Sequence, residues 1–110
     1  MRLLLDEGVP DIIQKRLKII AIATVQELGW RGISNGDLLD LMAGRFDVLI
    51  TTDKNIPFQQ NLAKRNLSAI IIPSNRIRIL KPMLPRIESA INRIHAGETI
   101  ESATSDLELP

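Results

Sequence analysis

The sequence predicts an α/β fold with three layers, in which a mostly parallel sheet of four or five strands lies between helices. Short apolar runs without polar alternation recur along the chain, as buried parallel strands require. Between these runs, apolar residues recur at the spacing of helices. At 110 residues and 45% apolar content, the chain suits one small globular domain.

Three elements are expected in the first quarter of the chain. Residues 3–5 form the first strand, and Pro10 lies well in the first turn of the helix that follows. The apolar run over residues 19–25 forms the second strand, entering at Ile20. Residues 26–36 contain three glycines and the only tryptophan, so we expect a shaped loop there.

Four elements are expected between residues 34 and 72. Ser34 and Asp37 form an S-x-x-D signal that starts a helix. The expected elements are a helix over residues 36–43, a strand over 47–51, a helix over 57–65 and a strand over 69–72.

The last third of the sequence is harder to interpret. Residues 76–80 alternate like a short strand yet lead directly into a Lys-Pro pair, so strand and helix both stay open there. Apolar residues at helical spacing then predict a last helix that ends near His95. We assign residues 1–96 to the domain and residues 97–110 to an acidic C-terminal tail that is mobile or bound to a partner.

The composition excludes several classes of function. Without cysteine, the chain has no disulfide, thiolate nucleophile or Cys-based zinc site. No apolar run reaches the roughly 18 residues of a membrane span, and no signal peptide is evident, so we expect a cytoplasmic protein without a membrane partner. Dinucleotide-binding, P-loop and nucleophile-elbow motifs do not occur.

Charge is unevenly distributed along the chain. The net charge is +1, but the last fourteen residues carry four acids and no base, which leaves a net charge of +5 on residues 1–96. A basic surface beside a carboxylate pocket suits a polyanion such as RNA, whose phosphates supply binding energy. An ordinary solvated helix face explains the same excess. The candidate nucleic-acid contacts are Lys54, Lys64, Arg65, Arg76 and Arg78.

Three aspartates from distant parts of the chain are expected to meet at one edge of the sheet. Asp6 and Asp53 follow the first and third strands, and Asp37 lies in the first turn of a helix that starts at the same carboxyl edge. Converging carboxylates repel each other unless a cation lies between them. Hard oxygen ligands suit Mg²⁺ or Mn²⁺. The pattern therefore predicts a metal site that hydrolyses phosphodiesters.

Each of these acids also has a purely structural explanation. Asp37 is explained as the acid of a capping box, and Asp53 as an acceptor for the amides ahead of the next helix. Asp6 occupies a turn, where aspartate is common, and Glu7 is expected to point away from Asp6. The metal prediction depends on the convergence and not on any single residue.

Three motifs carry a resemblance to a known family. They are Asp6 after a leucine strand, residues 37–43 with the sequence DLLDLMA, and residues 49–55 with the sequence LITTDKN. In order and spacing they resemble the PIN-like superfamily, in particular the short bacterial group described as DUF5615 or PIN-like toxin components. The resemblance covers roughly residues 1–72.

The resemblance implies a PIN-like fold and a Mg²⁺- or Mn²⁺-dependent endoribonuclease, commonly the toxin of a toxin-antitoxin pair. RNA is then the expected substrate, an antitoxin the expected protein partner, and a homodimer a candidate assembly. In that interpretation, the metal ligands and catalytic acids correspond to Asp6, Asp37 and Asp53, and the supporting residues to Thr51 and Asn55. Glu7, next to Asp6 in the sequence, is a further supporting candidate.

Two other classes of function stay open. PIN nucleases usually carry a fourth acid, for which only Glu27 in a loop is available, so a catalytically degenerate module that binds a protein partner is one alternative. A receiver domain is the other, because Asp53 and the late Lys81 are similar to its phospho-acceptor site. Residues 72–81 are, however, too few for the helix and strand that should precede that lysine.

Overall fold

The computed structural model describes residues 1–17, 21–56, 61–94 and 97–101. These residues form an α/β fold with one sheet of five parallel strands. The strands are β1 (Arg2–Leu5), β2 (Ala21–Thr24), β3 (Val48–Thr51), β4 (Ser68–Ile71) and β5 (Thr99–Glu101). The helices are α1 (Ile12–Arg16), α2 (Asn35–Met42) and α3 (Ile77–Arg93), and a 3₁₀ turn spans Ala63–Arg65. The strand order is β2-β1-β3-β4-β5.

Apolar side chains form a separate core on each face of the sheet. Leu3 and Leu5 of β1 pack with residues of α1 and α3, whereas Leu4 between them packs with residues of α2. Successive side chains of a strand point to opposite faces, so three consecutive leucines supply both cores. The prediction of a three-layer α/β/α fold around a parallel sheet is confirmed.

The segment that sequence analysis left open is helical. α3 begins at Ile77 and runs to Arg93, with Pro82 and Pro85 inside it. A proline inside a helix removes one N–H and leaves a carbonyl one turn earlier without its partner. Both prolines are exposed, so these carbonyls lie on the solvent side and the buried side of α3 stays regular.

β5 comes from residues that sequence analysis placed in the acidic tail. It pairs in parallel with β4, and Ile100 packs against the core beneath. Gly97 precedes it at a φ of 82°, which favours glycine, and a Cβ there would lie 3.1 Å from the Ala63 Cβ, which is a tight contact. The sheet therefore extends past residue 96.

Several predictions fall outside the described residues. They concern the entry to β2 at 18–20, the helix start at 57–60, the helix end at His95, and the tail from residue 102 onward. The described part of the helix expected over 57–65 contains only the 3₁₀ turn. In the described part of the chain, no helix has the length and apolar character to cross a membrane.

β2 lies at one edge of the sheet, and its outward carbonyls already accept hydrogen bonds. The Val25 N–H points toward β1, so by alternation the backbone groups of Ile22 and Thr24 point outward. Gln14 Nε2 donates to the Ile22 carbonyl over 2.8 Å. The Leu28 N–H donates to the Thr24 carbonyl over 3.3 Å. Two outward carbonyls of this edge are therefore occupied by the protein's own donors.

Candidate functional site

The strand order places a crevice between the carboxyl ends of β1 and β3. From β1 the chain moves outward to β2, and then crosses back over β1 to β3 on its other side. In open parallel sheets, ligands bind where the order reverses in this way. Asp6 directly follows β1, Thr51 ends β3, and Asp53 follows two residues later. Three residues predicted for the site thus lie at this switch point.

The backbone holds Asp6 against the end of β3. Its N–H donates to the Ile50 carbonyl over 2.9 Å, so the pairing of β1 with β3 continues one residue past the strand. Asp6 follows the alternation of Leu4, and Thr51 follows that of Leu49, whose side chains both pack on the α2 face. The carboxylate and the hydroxyl therefore reach the same side of the sheet.

The buried Thr51 hydroxyl connects the two aspartates. Thr51 Oγ1 donates to Asp6 Oδ2 over 2.7 Å and accepts a hydrogen bond from the Asp53 N–H over 3.1 Å. The Thr51 hydroxyl has a single hydrogen, which it donates to Asp6. Its bond to the Asp53 N–H uses a lone pair of the oxygen, so one hydroxyl makes both bonds at once. The predicted supporting role of Thr51 has a defined geometry here, in which one hydroxyl orients two strand ends.

The Asp53 carboxylate is held on both of its oxygens. Oδ1 accepts the Asn55 N–H over 2.9 Å, which is the local turn that aspartate commonly forms with the backbone two residues ahead. Oδ2 accepts from Asn35 Nδ2, in the first turn of α2, over 3.1 Å. Asn55 therefore supports the site through its backbone, and the supporting side chain is that of Asn35.

Burial raises the pKa of the Asp6 carboxyl above its ordinary value, because a charge is less well solvated there. The hydrogen bonds from the Thr51 hydroxyl and the Glu7 N–H act in the opposite direction, and the neighbouring charges of Asp53 and Glu7 raise the pKa further. Among the described residues, Asp6 and Asp53 form no ion pair with lysine or arginine. Negative charge therefore accumulates at the switch point, and no described lysine or arginine pairs with it.

The donor set fits a divalent cation. An ionised carboxylate offers about four lone-pair positions. In Asp6 and in Asp53 each oxygen accepts one hydrogen bond, so acceptor capacity remains on all four oxygens. Mg²⁺ keeps several waters and is commonly held by one or two carboxylates together with substrate phosphates. Asp6 and Asp53 accept hydrogen bonds from neutral groups and keep their negative charge, so they meet that requirement.

Within the described residues, no hydrogen bond links the Asp37 side chain to Asp6 or Asp53. Among the described residues, no group of three or more acidic or histidine side chains is placed to hold a metal ion. The Asp37 N–H donates to Ser34 Oγ over 3.3 Å, which is the helix cap expected from the sequence. The structure thus brings Asp6 and Asp53 together and leaves Asp37 exposed at the start of α2.

The two glutamates considered for the site make contacts that connect neighbouring segments of the fold. Glu7 Oε2 accepts the Gly32 N–H over 3.0 Å, and its Oε1 lies 3.5 Å from Arg31 Nε. Glu27 Oε1 accepts from Gln14 Nε2 over 2.7 Å. Glu7 still contributes charge near Asp6, but its hydrogen bond joins two loops, and that of Glu27 joins the loop after β2 to α1.

Three of the predicted nucleic-acid contacts lie at the carboxyl edge. Lys54 directly follows Asp53, and its ammonium lies 3.9 Å from Glu101 at the end of β5. Arg76 and Arg78 stand at the start of α3, which begins at this edge, and both are exposed. A depression of about 360 Å³ lies at the same edge, lined by Gly8, Val9, Pro10, Asp11, Thr24 and Gln26.

The other two predicted contacts lie at the opposite edge. Lys64 and Arg65 belong to the 3₁₀ turn that precedes β4, and Arg65 Nε lies 2.8 Å from Asp40 Oδ1. Both line a larger depression, of about 620 Å³, together with Asp40, Ala43 and Asn61. Asp40 is the acid that lines this depression, and it is paired with Arg65. The depression therefore differs from the switch point, where the carboxylates have no such pair among the described residues.

Sequence reasoning missed Asn35. The capping signal directed attention to Asp37, yet positions 35 and 37 lie about 200° apart around a helix and point to nearly opposite sides. With Asn35 facing Asp53, Asp37 faces away. The only sequence signal for Asn35 was a second polar residue in the first turn of α2.

Comparisons with protein-family models, with curated proteins and with solved structures find no match to this chain.

Proposed function

We propose that this chain is a Mg²⁺- or Mn²⁺-dependent ribonuclease of the PIN-like type, with Asp6 and Asp53 as its metal ligands. The observation that carries the proposal is the pair of aspartates at the β1/β3 switch point, joined through Thr51 and without a basic partner among the described residues. A cation would offset the repulsion and the burial that raise the pKa of Asp6.

The residues of the site divide into ligands and supports. Asp6 and Asp53 would hold the cation, which when bound activates a water and stabilises charge on a phosphate. Thr51 keeps Asp6 in the orientation that presents its free lone pairs, and the Asn55 N–H does the same for Asp53. No acid beyond these two is required, since Mg²⁺ completes its shell with water and phosphate oxygens.

Basic residues at the same edge support a polyanionic substrate. Lys54, Arg76 and Arg78 surround the carboxyl ends of β3 and β4, and all three are exposed. Phosphate contacts of this kind position a nucleic acid without reading its sequence. The resemblance extends the proposal to the toxin of a toxin-antitoxin pair, with an antitoxin as the protein partner.

The receiver-domain alternative has less support. The strand order and Asp53 suit it, but Lys81 lies on the exposed side of α3 and β5 carries no lysine. Lys54 is adjacent to Asp53 in sequence, and its ammonium is paired with Glu101. Within the part of the chain that the structure describes, the carboxylates of the switch point thus lack the paired lysine that a phospho-acceptor site needs.

The test is Mn²⁺ binding measured by calorimetry, with RNA cleavage followed in the same samples. We expect the wild type to bind one Mn²⁺ and to cleave single-stranded RNA only when the metal is present. Asp6→Asn and Asp53→Asn should each lower the affinity at least about tenfold, because each removes a charged ligand and little volume.

Glu88→Gln is the matched control, because it removes one exposed negative charge from α3, away from the switch point. It should bind Mn²⁺ like the wild type. Mn²⁺ binding without RNA cleavage would favour the degenerate binding module. A wild type that binds no Mn²⁺ would overturn the proposal.

A further inference from the structure

Asn35, in the first turn of α2, donates a side-chain hydrogen bond to one of the aspartates at the switch point. Its Nδ2 lies 3.1 Å from Asp53 Oδ2, and the residue is half-buried. Ser34 caps the helix, so Asn35 occupies the first helical position, where its own N–H needs no helical partner. Ser34 thus satisfies the start of α2, and the side chain of Asn35 is left to contact Asp53.

The chemistry of an amide suits this position. Lysine or arginine in its place would neutralise Asp53 and compete with a cation for it. The Asn35 amide donates a hydrogen bond but carries no charge, so the carboxylate is oriented while its negative charge is kept. Together with the Asn55 N–H on Oδ1, it holds the carboxylate at both oxygens.

We propose that Asn35 is a positioning residue, which holds the Asp53 carboxylate in the orientation that binds the divalent cation. This inference rests on the proposed function for its cation, but the contact between Asn35 and Asp53 can be tested without any metal. Partners of metal-binding side chains commonly contribute 10- to 100-fold to metal affinity.

The first experiment measures whether the effect of an Asn35 substitution on the Tm depends on Asp53. It is done in EDTA, so that no metal ion takes part. Asn35→Asp places a second carboxylate beside Asp53 Oδ2, and the repulsion should lower the Tm by about 5 °C at pH 7. In the Asp53→Asn background, the same substitution should lower the Tm much less, because the charge that lies next to position 35 has been removed and only the more distant charge of Asp6 is left. Equal Tm losses in both backgrounds would overturn the contact and with it the positioning role.

The second experiment measures Mn²⁺ affinity by calorimetry. Asn35→Ala should weaken binding about tenfold, whereas Asn35→Asp should bind more tightly than Asn35→Ala because it faces the cation with a third carboxylate. Asn92→Ala is the matched control, since Asn92 is exposed in the last turn of α3, at the other end of the sheet.

These outcomes separate the two proposals. Mn²⁺ binding that is lost in Asp53→Asn but unchanged in Asn35→Ala would leave the metal site in place and overturn the role of Asn35. Absence of Mn²⁺ binding in the wild type would overturn the proposed function and the role of Asn35 in it, while the Tm coupling in EDTA would still show whether the two side chains touch.

Discussion

Two pairs of aspartates, one near each end of the sheet, differ in the partners that they have. At the amino end, Asp47 accepts the Arg2 N–H over 2.7 Å and lies 3.7 Å from Arg2 Nε, and Asp40 is paired with Arg65. At the carboxyl end, Asp6 and Asp53 accept hydrogen bonds from neutral donors. Asp47 and Asp40 are thus each paired with an arginine, whereas Asp6 and Asp53 have no basic partner among the described residues.

Thr51→Val should give the largest change at the carboxyl end. Valine keeps the shape of threonine but leaves Asp6 without its hydroxyl donor and the Asp53 N–H without its acceptor. Hydrogen bonds to charged groups contribute about 1.5–3 kcal/mol, so we expect a loss of about 2 kcal/mol in the free energy of unfolding, measured by urea titration at pH 7.

Thr52→Val is the control for this substitution, because the neighbouring Thr52 is exposed. It should change the free energy of unfolding by less than about 0.5 kcal/mol. If both variants lose the same stability, the hydroxyl of Thr51 is not what holds the two strand ends together.

Asp6→Asn should change how stability depends on pH. In the unfolded chain Asp6 titrates near the ordinary value of 3.8, and in the folded chain its pKa is raised. The stabilising contribution of Asp6 to the free energy of unfolding is therefore fully present below pH 3.8. It is lost as the pH rises through the raised pKa of the folded chain, because a charged carboxylate must then be buried.

Urea titrations in EDTA at several values between pH 3.5 and 7 will measure this effect as the difference between wild type and Asp6→Asn. We expect the difference to shift in favour of the variant as the pH rises, and saturating Mn²⁺ to reverse it. A difference that stays constant with pH would mean that Asp6 buries no charge on folding.

Asp47→Asn should give the smallest change, and only in stability. The ion pair with Arg2 is partly exposed, and such pairs contribute about 0.5 kcal/mol. The asparagine still accepts the Arg2 N–H. We therefore expect a small loss in urea titration and an unchanged Mn²⁺ affinity by calorimetry. If Asp47→Asn lost Mn²⁺ binding, charge at the amino end of the sheet would influence the metal affinity at the carboxyl end.

The elements of the fold that could be predicted are those whose residues are almost all buried and therefore almost all apolar. β1, β3 and β4 are fully or almost fully buried, and their apolar runs stand out. β5 was missed because it is short, polar and at the sheet edge, and its pairing with the β4 backbone leaves no apolar pattern. α3 was left open over its first turn because Ile77 is exposed and two prolines interrupt the pattern.

The candidate site was predictable to the extent that strand ends determine it. Asp6, Thr51 and Asp53 follow directly from apolar runs, and parallel strands bring such ends to one edge. The contribution of α2 depends on how far the helix is rotated about its axis, which packing in the core decides and a capping motif does not. Asn35 and Asp37 are therefore distinguished only in the folded chain.

The side chain of Gln14 has a consequence for how a second chain could pair with this sheet. A strand adds to a sheet edge through the outward N–H and C=O groups of that edge, and at β2 the Ile22 and Thr24 carbonyls already accept hydrogen bonds from Gln14 and from the Leu28 N–H. A strand that paired in register with β2 would have to displace these bonds or share their carbonyls with them. Gln14 therefore makes β2 a less favourable template for a second copy than an edge strand with unoccupied carbonyls.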